Sequence, residues 1–183
     1  MLQLQTSELP VINGEKLSLR PITEADTADI VRWRNDPEVW KYFIFREPFN
    51  PAMHPDWLKN NVETGRVIQY IIVERTTGRS VGSVYFRDVD GKNESAEYGI
   101  FIGEPRARGR GLGTETARLF TRFGLDVLRL HRISLKVLGG NEIARRSYEK
   151  AGFRTEGVFR DFVKLDGAFT DVVFMARIAG EGE

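Results

Sequence analysis

A glycine-rich loop with two arginines is the segment of this sequence whose residue types most clearly suggest chemistry. Residues 108–114 read Arg-Gly-Arg-Gly-Leu-Gly-Thr and stand between a strand-like and a helix-like segment. Glycines let successive backbone N–H groups converge, and a helix that begins near Gly113 directs its free N–H groups and positive dipole end to the same point. Arg108 and Arg110 add donors that suit phosphate oxygens. We therefore predict a pyrophosphate-binding loop, with a solvated basic turn and a nucleic-acid contact as the alternatives.

The glycine spacing separates this loop from two other phosphate-binding motifs. No Gly-Lys-Ser/Thr sequence follows, so the loop is not a nucleotide P-loop. The glycines recur at every second residue after strands that look antiparallel, which does not fit a dinucleotide-binding fingerprint.

A second pair of polar residues lies downstream in a segment with helical spacing. Asn141 and Tyr148 are about two helical turns apart, so both project from one face of the helix. Asn141 stands where a helix N-cap is expected, and capping alone would explain it. For Tyr148, packing of the ring in the core is the alternative to a functional hydroxyl.

The elements that must position these residues change type along the chain. Residues 67–74, 80–89 and 94–102 are strand-like and separated by short turns, which predicts an antiparallel meander. Helices are predicted from Thr23, where a capping-box variant begins, and over residues 38–44, 56–63, 112–128 and 141–151. Further strands are expected at residues 16–20, 132–138, 153–165 and 168–178. The sequence thus predicts one α/β domain over residues 1–183, ordered from about 16 to 178, with a mixed, mostly antiparallel sheet of about seven strands flanked by helices.

Composition excludes several classes of protein and site. Lys and Arg number 27 and Asp and Glu 26, a balance that argues against non-specific nucleic-acid binding. The chain has no cysteine, which excludes a disulfide framework and a thiolate nucleophile, and its two histidines are far apart, so no metal site is predicted. Residues 1–13 lack the pattern of a signal peptide, and no apolar run approaches the about 20 residues of a membrane helix. We expect a soluble, cytoplasmic protein with no membrane partner.

Two motifs together resemble the GNAT N-acetyltransferase superfamily. Arg108-x-x-Gly111-x-Gly113 matches the family pattern Gln/Arg-x-x-Gly-x-Gly/Ala. Residues 141–153, NEIARRSYEKAGF, look like the family signature Asn-x-x-Ala-x-x-x-Tyr-Glu-Lys-x-Gly-Phe. Residues 33–39, WRNDPEV, are similar to a segment of the branch named for ribosomal-protein N-terminal acetyltransferases. The resemblance therefore extends over about residues 16–178 and implies the GNAT-like fold.

The resemblance implies a site for acetyl-coenzyme A and no metal. Family members bind the pyrophosphate on the glycine-rich loop and pair the pantetheine arm with a strand that splays from its neighbour, here residues 96–102. The implied contacts are Ile100, Phe101 and Ile102 on the strand, Arg108, Gly109, Arg110, Gly111, Leu112, Gly113 and Thr114 in the loop, and Asn141 and Tyr148 on the helix. Gly103-Glu104 is one residue longer than the family pattern, which predicts an insertion or a bulge and leaves the strand register open by one residue.

The resemblance also implies catalytic roles. Tyr148 matches the family tyrosine that protonates the departing thiolate, and Asn141 matches an asparagine that contacts the pantetheine arm. A backbone N–H of residues 100–102 would polarise the thioester carbonyl. Glu97 faces opposite to Ile100 and Ile102 by strand alternation and is the candidate general base, directly or through water, with a surface salt bridge as the alternative. His54 and His131 are lesser candidates for the base.

We therefore expect an acetyl-coenzyme A-dependent N-acetyltransferase that acts on a primary amine by direct attack in a ternary complex. The absence of cysteine argues against an acetyl-enzyme intermediate. A polyamine, amino sugar or antibiotic is favoured over a protein N-terminus, because the balanced charge offers no evident ribosome-docking surface. A non-catalytic acyl-coenzyme A-binding or sensing protein is the alternative, and a homodimer is left open. Aromatic residues between 33 and 57 form either the acceptor wall or core packing.

Overall fold

One mixed sheet organises the chain, of which the computed structural model describes residues 9–181. Its strands are β1 (Ile12–Asn13), β2 (Leu17–Pro21), β3 (Ile68–Glu74), β4 (Arg79–Asp90), β5 (Ser95–Ile102), β6 (Arg132–Leu138), β7 (Arg154–Leu165) and β8 (Ala168–Ile178). The helices are α1 (Thr27–Asn35), α2 (Pro37–Trp40), α3 (Met53–Trp57), α4 (Leu112–Asp126) and α5 (Glu142–Lys150). The 8-stranded sheet has the order β1-β2-β3-β4-β5-β6-β8-β7. Only β5 and β6 are parallel neighbours within it.

The predicted fold class is confirmed, with one strand more than expected. The extra strand, β1, is two residues long and pairs Ile12 with Leu19, too short to show alternation in the sequence. Residues 1–8, which belong to the segment without a signal-peptide pattern, lie outside the described residues, as do residues 182 and 183. Among residues 9–181, no helix combines the length and apolar character needed to cross a membrane.

Two of the short helices differ from their predicted bounds. The helix expected over residues 38–44 ends at Trp40, and the guanidinium of Arg46 donates to the carbonyl oxygens of Lys41 (2.6 Å) and Phe43 (3.2 Å) in the turns that follow. The helix expected over residues 56–63 begins earlier, at Met53, and continues as a wider turn over Leu58–Val62. Both lie in the aromatic-rich region, where packing on the sheet outweighs local helix signals.

Two hydrophobic cores cover the two faces of the sheet. On the first face, α4 and α5 pack through residues such as Phe120, whose ring stacks on Phe86 at 4.2 Å between centroids. On the second face, α1 to α3 pack through residues such as Trp33 and Val39 against Ile71 and Phe101. The alternation of side chains along each strand thus assigns every central residue to one of these faces.

The only parallel pair in the described chain separates soon after it forms. β5 pairs with β6 at Ser95–Arg132, Ala96–Ile133 and Glu97–Ser134, and no pairing continues beyond them. β5 stays paired with β4 up to Ile102, and β6 stays paired with β8 up to Leu138. The sheet therefore opens between the carboxyl ends of β5 and β6, and we call this gap the opening.

The extra residue predicted at Gly103-Glu104 forms a bulge at the end of β5. The backbone N–H groups of Gly103 and Glu104 both donate to the carbonyl of Val81, at 2.8 and 3.0 Å. The register from Glu97 to Ile102 against β4 is regular, so the irregularity does not reach the residues that border the opening. Trp33 fixes the bulge: its indole lies against Gly103, and its Nε1–H donates to the Glu104 carboxylate at 2.9 Å.

Gly103→Ala should therefore destabilise the fold. A Cβ at this position would lie 2.1 Å from the buried indole of Trp33, and such overpacking typically costs about 1–3 kcal/mol. We expect the melting temperature to fall by about 3–10 °C. Gly140→Ala is the control, because a Cβ there meets nothing within 4 Å. Equal melting temperatures for the two variants would contradict the tight packing of the bulge.

Candidate active site

The edge of β5 that borders the opening carries unpaired backbone groups. Gly103 forms a hydrogen-bonded pair with Val81 of β4, and alternate residues of an antiparallel strand share this orientation. Phe101 therefore directs its N–H and C=O to β4, whereas Ile100 and Ile102 direct theirs to the opening. The N–H groups of these two isoleucines thus lack a strand partner, because β6 has diverged at this level.

The three predicted strand contacts therefore divide into two kinds. Ile100 and Ile102 have N–H groups available to an extended ligand in the opening, and their side chains pack on the first core. Phe101 is paired with β4 through its backbone, and its ring lies in the second core beside Trp33 and Phe43 at 6.3 and 5.8 Å. Its backbone is not available to a ligand in the opening.

The glycine-rich loop ends in an open helix amino terminus. Gly109 and Gly111 adopt left-handed φ values of 74° and 83°, which turn the chain into α4. The first α4 hydrogen bond joins the Glu115 N–H to the Gly111 carbonyl, so the N–H groups of the residues between them have no intrahelical acceptor. A Cβ on Gly113 would meet nothing within 4 Å, so a ligand can approach this backbone closely. Of the intervening residues, Leu112 buries its side chain, leaving only its N–H for a ligand.

The two loop arginines contact protein acceptors in the described chain. Arg108 donates to the carbonyl oxygens of Ile102 (3.1 Å) and Gly103 (2.8 Å), and so ties the loop to the end of β5. Arg110 forms a salt bridge with Glu74 at the end of β3. Both guanidinium groups have protein acceptors, yet the Arg110 side chain remains 53% exposed, so the phosphate contact of these arginines stays a prediction.

Three basic side chains that no sequence motif indicates lie beside this helix terminus. A cavity of about 590 Å³ adjoins Gly111 and Thr114 and is also lined by Lys16, Arg118 and Lys150. The Lys16 Nζ lies 3.9 Å from the position a Cβ would take on Gly111. These residues come from three distant parts of the chain, so only the fold brings their charges together.

α5 brings Asn141 and Tyr148 to the first face of the sheet. The Asn141 side chain caps the helix, accepting from the Ala144 N–H at 3.3 Å, so the capping role is confirmed. The Tyr148 ring packs edge-on against Tyr98 of β5 at 5.9 Å and against Phe153 at 6.0 Å. Burial raises the pKa of the Tyr148 hydroxyl well above its ordinary value. Thr114 joins α4 to this helix through a 2.8 Å hydrogen bond between its hydroxyl and that of Ser147.

Two further tyrosines lie at the opening. The Tyr98 hydroxyl is buried without a hydrogen-bond partner in the described part of the chain. Tyr85 of β4 lies across Gly99, where an added Cβ would come within 2.5 Å of its hydroxyl oxygen. The sequence around Tyr85 does not mark it as a site residue. Its position opposite Gly99 matters only because the sheet opens beside that glycine.

The second face of the sheet is polar at the opening. Strand alternation directs Tyr85, Arg87, Glu97 and Lys136 to this side. Arg87 and Lys136 both bind Glu97: Arg87 bonds its Oε1, and the Lys136 Nζ lies 2.7 Å from its Oε2. We call these four residues the polar face. Glu97 faces away from Ile100 and Ile102, as predicted. It also forms salt bridges, which were the alternative explanation for a carboxylate at this position.

The histidines do not reach the opening. His54 is buried in the packing of α1 to α3, with its Nδ1 2.7 Å from the Thr27 hydroxyl, and burial lowers its pKa. His131 precedes β6 at the end where β5 and β6 are paired, and its N–H donates to the Glu94 carbonyl at 2.7 Å.

Core packing explains much of the aromatic-rich stretch. Trp33 is buried in the second core, and Phe43, Phe49 and Trp57 pack against it. Tyr42 and Phe45 are exposed. Across residues 9–181 there is no group of three His, Cys, Asp or Glu side chains that could hold a metal ion.

Comparison with known proteins identifies the family. The family model described as the acetyltransferase (GNAT) domain matches residues 16–154, and the chain belongs to this family. It is 27% identical to the spermidine N(1)-acetyltransferase of Escherichia coli (strain K12), over 89% of this chain and 86% of that protein. It is 26% identical to the uncharacterized N-acetyltransferase p20 of Bacillus licheniformis, over 91% and 95% of the two chains.

A solved structure supports the fold. The chain superposes on the spermidine N-acetyltransferase of Vibrio cholerae, whose structure is a complex with CoA and spermine, with a TM-score of 0.83. The match covers 90% of this chain and 96% of that one at 22% identity, a level at which the likeness shows the fold. The predicted N-acetyltransferase superfamily is confirmed.

Gly113→Asp should abolish coenzyme A binding while the fold is kept. The position is open and an acidic side chain in the first helical turn suits the dipole, so we expect stability equal to or above that of the wild type. The new carboxylate would fill the space of the pyrophosphate and repel its negative charge. Gly113→Asn is the control of matched size without charge. Calorimetric titration with coenzyme A should show a far larger loss for Asp than for Asn, and wild-type affinity in the Asp variant would remove this loop from the site.

Proposed function

We propose that this protein transfers the acetyl group of acetyl-coenzyme A to a small primary amine by direct attack in a ternary complex. The observation that carries the proposal is the opening itself. The unpaired N–H groups of Ile100 and Ile102, the open amino terminus of α4 and the Tyr148 side chain all border it from the first face. The polar face borders it from the other side, so two substrates can approach each other from opposite sides of the sheet.

The described residues fit an extended, phosphate-bearing cosubstrate. An extended arm can pair with β5 as an additional strand, since Ile100 and Ile102 offer donors that no other strand uses. A pyrophosphate suits the N–H groups at Gly113 and Thr114, which combine free donors with the positive end of a 15-residue helix. The side chain of Asn141 lies at the start of α5, and contact with the arm is its proposed second role.

Acetyl-coenzyme A supplies an acetyl thioester whose leaving group is a thiolate. In the proposed step, the neutral amine forms a bond to the carbonyl carbon while the Ile100 N–H donates to the carbonyl oxygen. The carbon–sulfur bond then breaks, Tyr148 gives its hydroxyl proton to the sulfur, and the nitrogen gives up one proton to solvent or a base. The products are an N-acetyl amine and free coenzyme A thiol. This route needs no acetyl-enzyme, which agrees with the lack of cysteine.

Tyr148 carries the proton that a general acid must donate. Because the pKa of its hydroxyl is raised by burial, the side chain carries its proton throughout the neutral range. Its ring is held by Tyr98 and Phe153, which limits its motion. In the described chain its hydroxyl forms no hydrogen bond, so the donor is free for a ligand atom.

Glu97 is the proposed acceptor of the amine proton, through water. Both of its carboxylate oxygens are already engaged, one by Arg87 and the other by Lys136. Direct contact with the amine would displace one of these cations, whereas a water molecule can bridge the nitrogen and the carboxylate.

A small-molecule acceptor is supported by the names of the relatives. Both the Escherichia coli protein and the Vibrio cholerae structure are spermidine acetyltransferases, and the net charge of +1 offers no evident ribosome-docking surface. A non-catalytic acyl-coenzyme A-binding protein on the same fold is the second candidate. Release of free thiol from acetyl-coenzyme A in the presence of a panel of amines tests the proposal. Binding of acetyl-coenzyme A without thiol release from any amine would favour the second candidate.

Tyr148→Phe should lower kcat about 10²–10⁴-fold, the usual contribution of a general acid. The KM for acetyl-coenzyme A should change little, because a thioester sulfur is a weak hydrogen-bond acceptor in the ground state. Tyr70→Phe makes the same chemical change at a buried tyrosine of β3, whose hydroxyl donates to the Pro10 carbonyl at 3.0 Å, and should leave kcat unaltered. A Tyr148→Phe enzyme with nearly wild-type kcat and a lowered melting temperature would show that the hydroxyl is structural.

A further inference from the structure

The side from which the amine must approach carries more positive than negative charge. Three charged residues of β4, β5 and β6 are directed to this side at the opening, namely Arg87, Glu97 and Lys136. Glu97 is the one carboxylate among these residues, against Arg87 and Lys136. Its two oxygens are each bonded to one of those cations, so the polar face retains positive charge and no free carboxylate.

A third cation overlies the polar face from α1. The guanidinium of Arg34 lies 4.6 Å from the ring centroid of Phe49 and 5.6 Å from that of Phe43, and Phe43 contacts Phe101 of β5. Burial lowers the pKa of Arg34, and the charges of Tyr85, Arg87 and Glu47 lie near enough to act on it.

Arg34 differs from the other cations near the opening because it has no acceptor. Its Nε is buried, and it forms no hydrogen bond or salt bridge with any residue between 9 and 181. Burial of the Arg34 Nε without an acceptor is unfavourable, and an anion that binds beside the guanidinium would supply the missing partner. The cation–π contacts hold the group in place but leave its N–H donors unused.

The carboxyl-terminal hairpin bounds the same region. Lys136 Nζ lies 5.6 Å from the ring centroid of Phe174, which packs against Phe159 at 4.2 Å. Asp166 at the hairpin turn reaches the loop after α2, where it accepts from Arg46 at 2.5 Å. Asp166 is therefore engaged by its own partner and does not offset Arg34, Arg87 or Lys136.

We propose that the acceptor of this enzyme is a primary amine that also bears an anionic group, a phosphate or a carboxylate, bound by Arg34 together with Arg87 and Lys136. This inference rests on the proposed function, because it identifies the substrate class of the same site. A polyamine presents additional ammonium groups, and the polar face has no free carboxylate to receive them. The acceptor proposed for this chain is therefore not a polyamine such as spermidine, which the names of the two relatives give as their substrate.

The first experiment compares amines that differ mainly in charge. Thiol release is measured with 2-aminoethyl phosphate, β-alanine, ethanolamine and spermidine at saturating acetyl-coenzyme A. We expect at least one of the two anionic amines to exceed ethanolamine about 10- to 100-fold in kcat/KM, the range of one charge-assisted hydrogen bond. Spermidine should fall below ethanolamine. The two anionic amines distinguish phosphate from carboxylate, and added salt should reduce the preference.

The second experiment tests the assigned cation. Arg34→Gln should bring the kcat/KM of the preferred anionic amine to near that of ethanolamine, while the value for ethanolamine changes less than about threefold. Arg34→Lys, which keeps the charge, should retain part of the preference. Arg32→Gln is the control on the same helix, since Arg32 is exposed and already paired with Asp29 and Glu104.

The outcomes separate this inference from the proposed function. Turnover of spermidine or ethanolamine at least equal to that of both anionic amines would overturn the anionic acceptor and leave the acetyltransferase intact. An unchanged anionic preference in a folded Arg34→Gln enzyme would overturn the assignment of Arg34. No thiol release with any of the four amines would contradict both proposals.

Discussion

The site depends on the point at which β5 and β6 stop pairing. Parallel strands in a sheet interior normally satisfy each other's backbone groups, and unpaired N–H groups away from water are costly. Here pairing ends after Glu97 and Ser134, while both strands continue beside other partners. Each strand is held by its outer neighbour, so the opening is fixed by the sheet on both sides. An extended ligand that supplies the missing partner for β5 completes this part of the sheet.

The neighbouring elements hold the opening at a defined shape. Arg108 fastens the glycine-rich loop to the last two carbonyls bordering the gap, and Trp33 packs into the space left by Gly103. The loop then leads directly into α4, so the helix terminus lies next to the strand edge. Both arginines of the loop are held by protein acceptors, and their contact with a phosphate remains a prediction.

Sequence patterns predicted the central elements well, because alternation and helical spacing are local. The strand at residues 132–138, the Asn141 cap and the Asp166-Gly167 turn could all be identified from neighbouring residues alone. The contacts of Arg108, Arg110 and Glu97 could not, because their partners lie on other elements of the fold. Lys136, Arg34 and Tyr85 were missed for the same reason: each is an ordinary residue of its own element. The sheet register brings Tyr85 and Lys136 to the opening, and contact with Phe43 holds Arg34 over the same face.

Amide hydrogen exchange of β5, followed residue by residue by NMR, tests most directly the claim that its free edge receives acetyl-coenzyme A. In the free protein, the amides of Ile100 and Ile102 should exchange much faster than that of Phe101, which is paired with β4. Saturation with coenzyme A should slow exchange at Ile100 or Ile102 strongly and leave Phe101 nearly unchanged. Coenzyme A binding with no added protection at either isoleucine would contradict the account, because the ligand would then not pair with the strand.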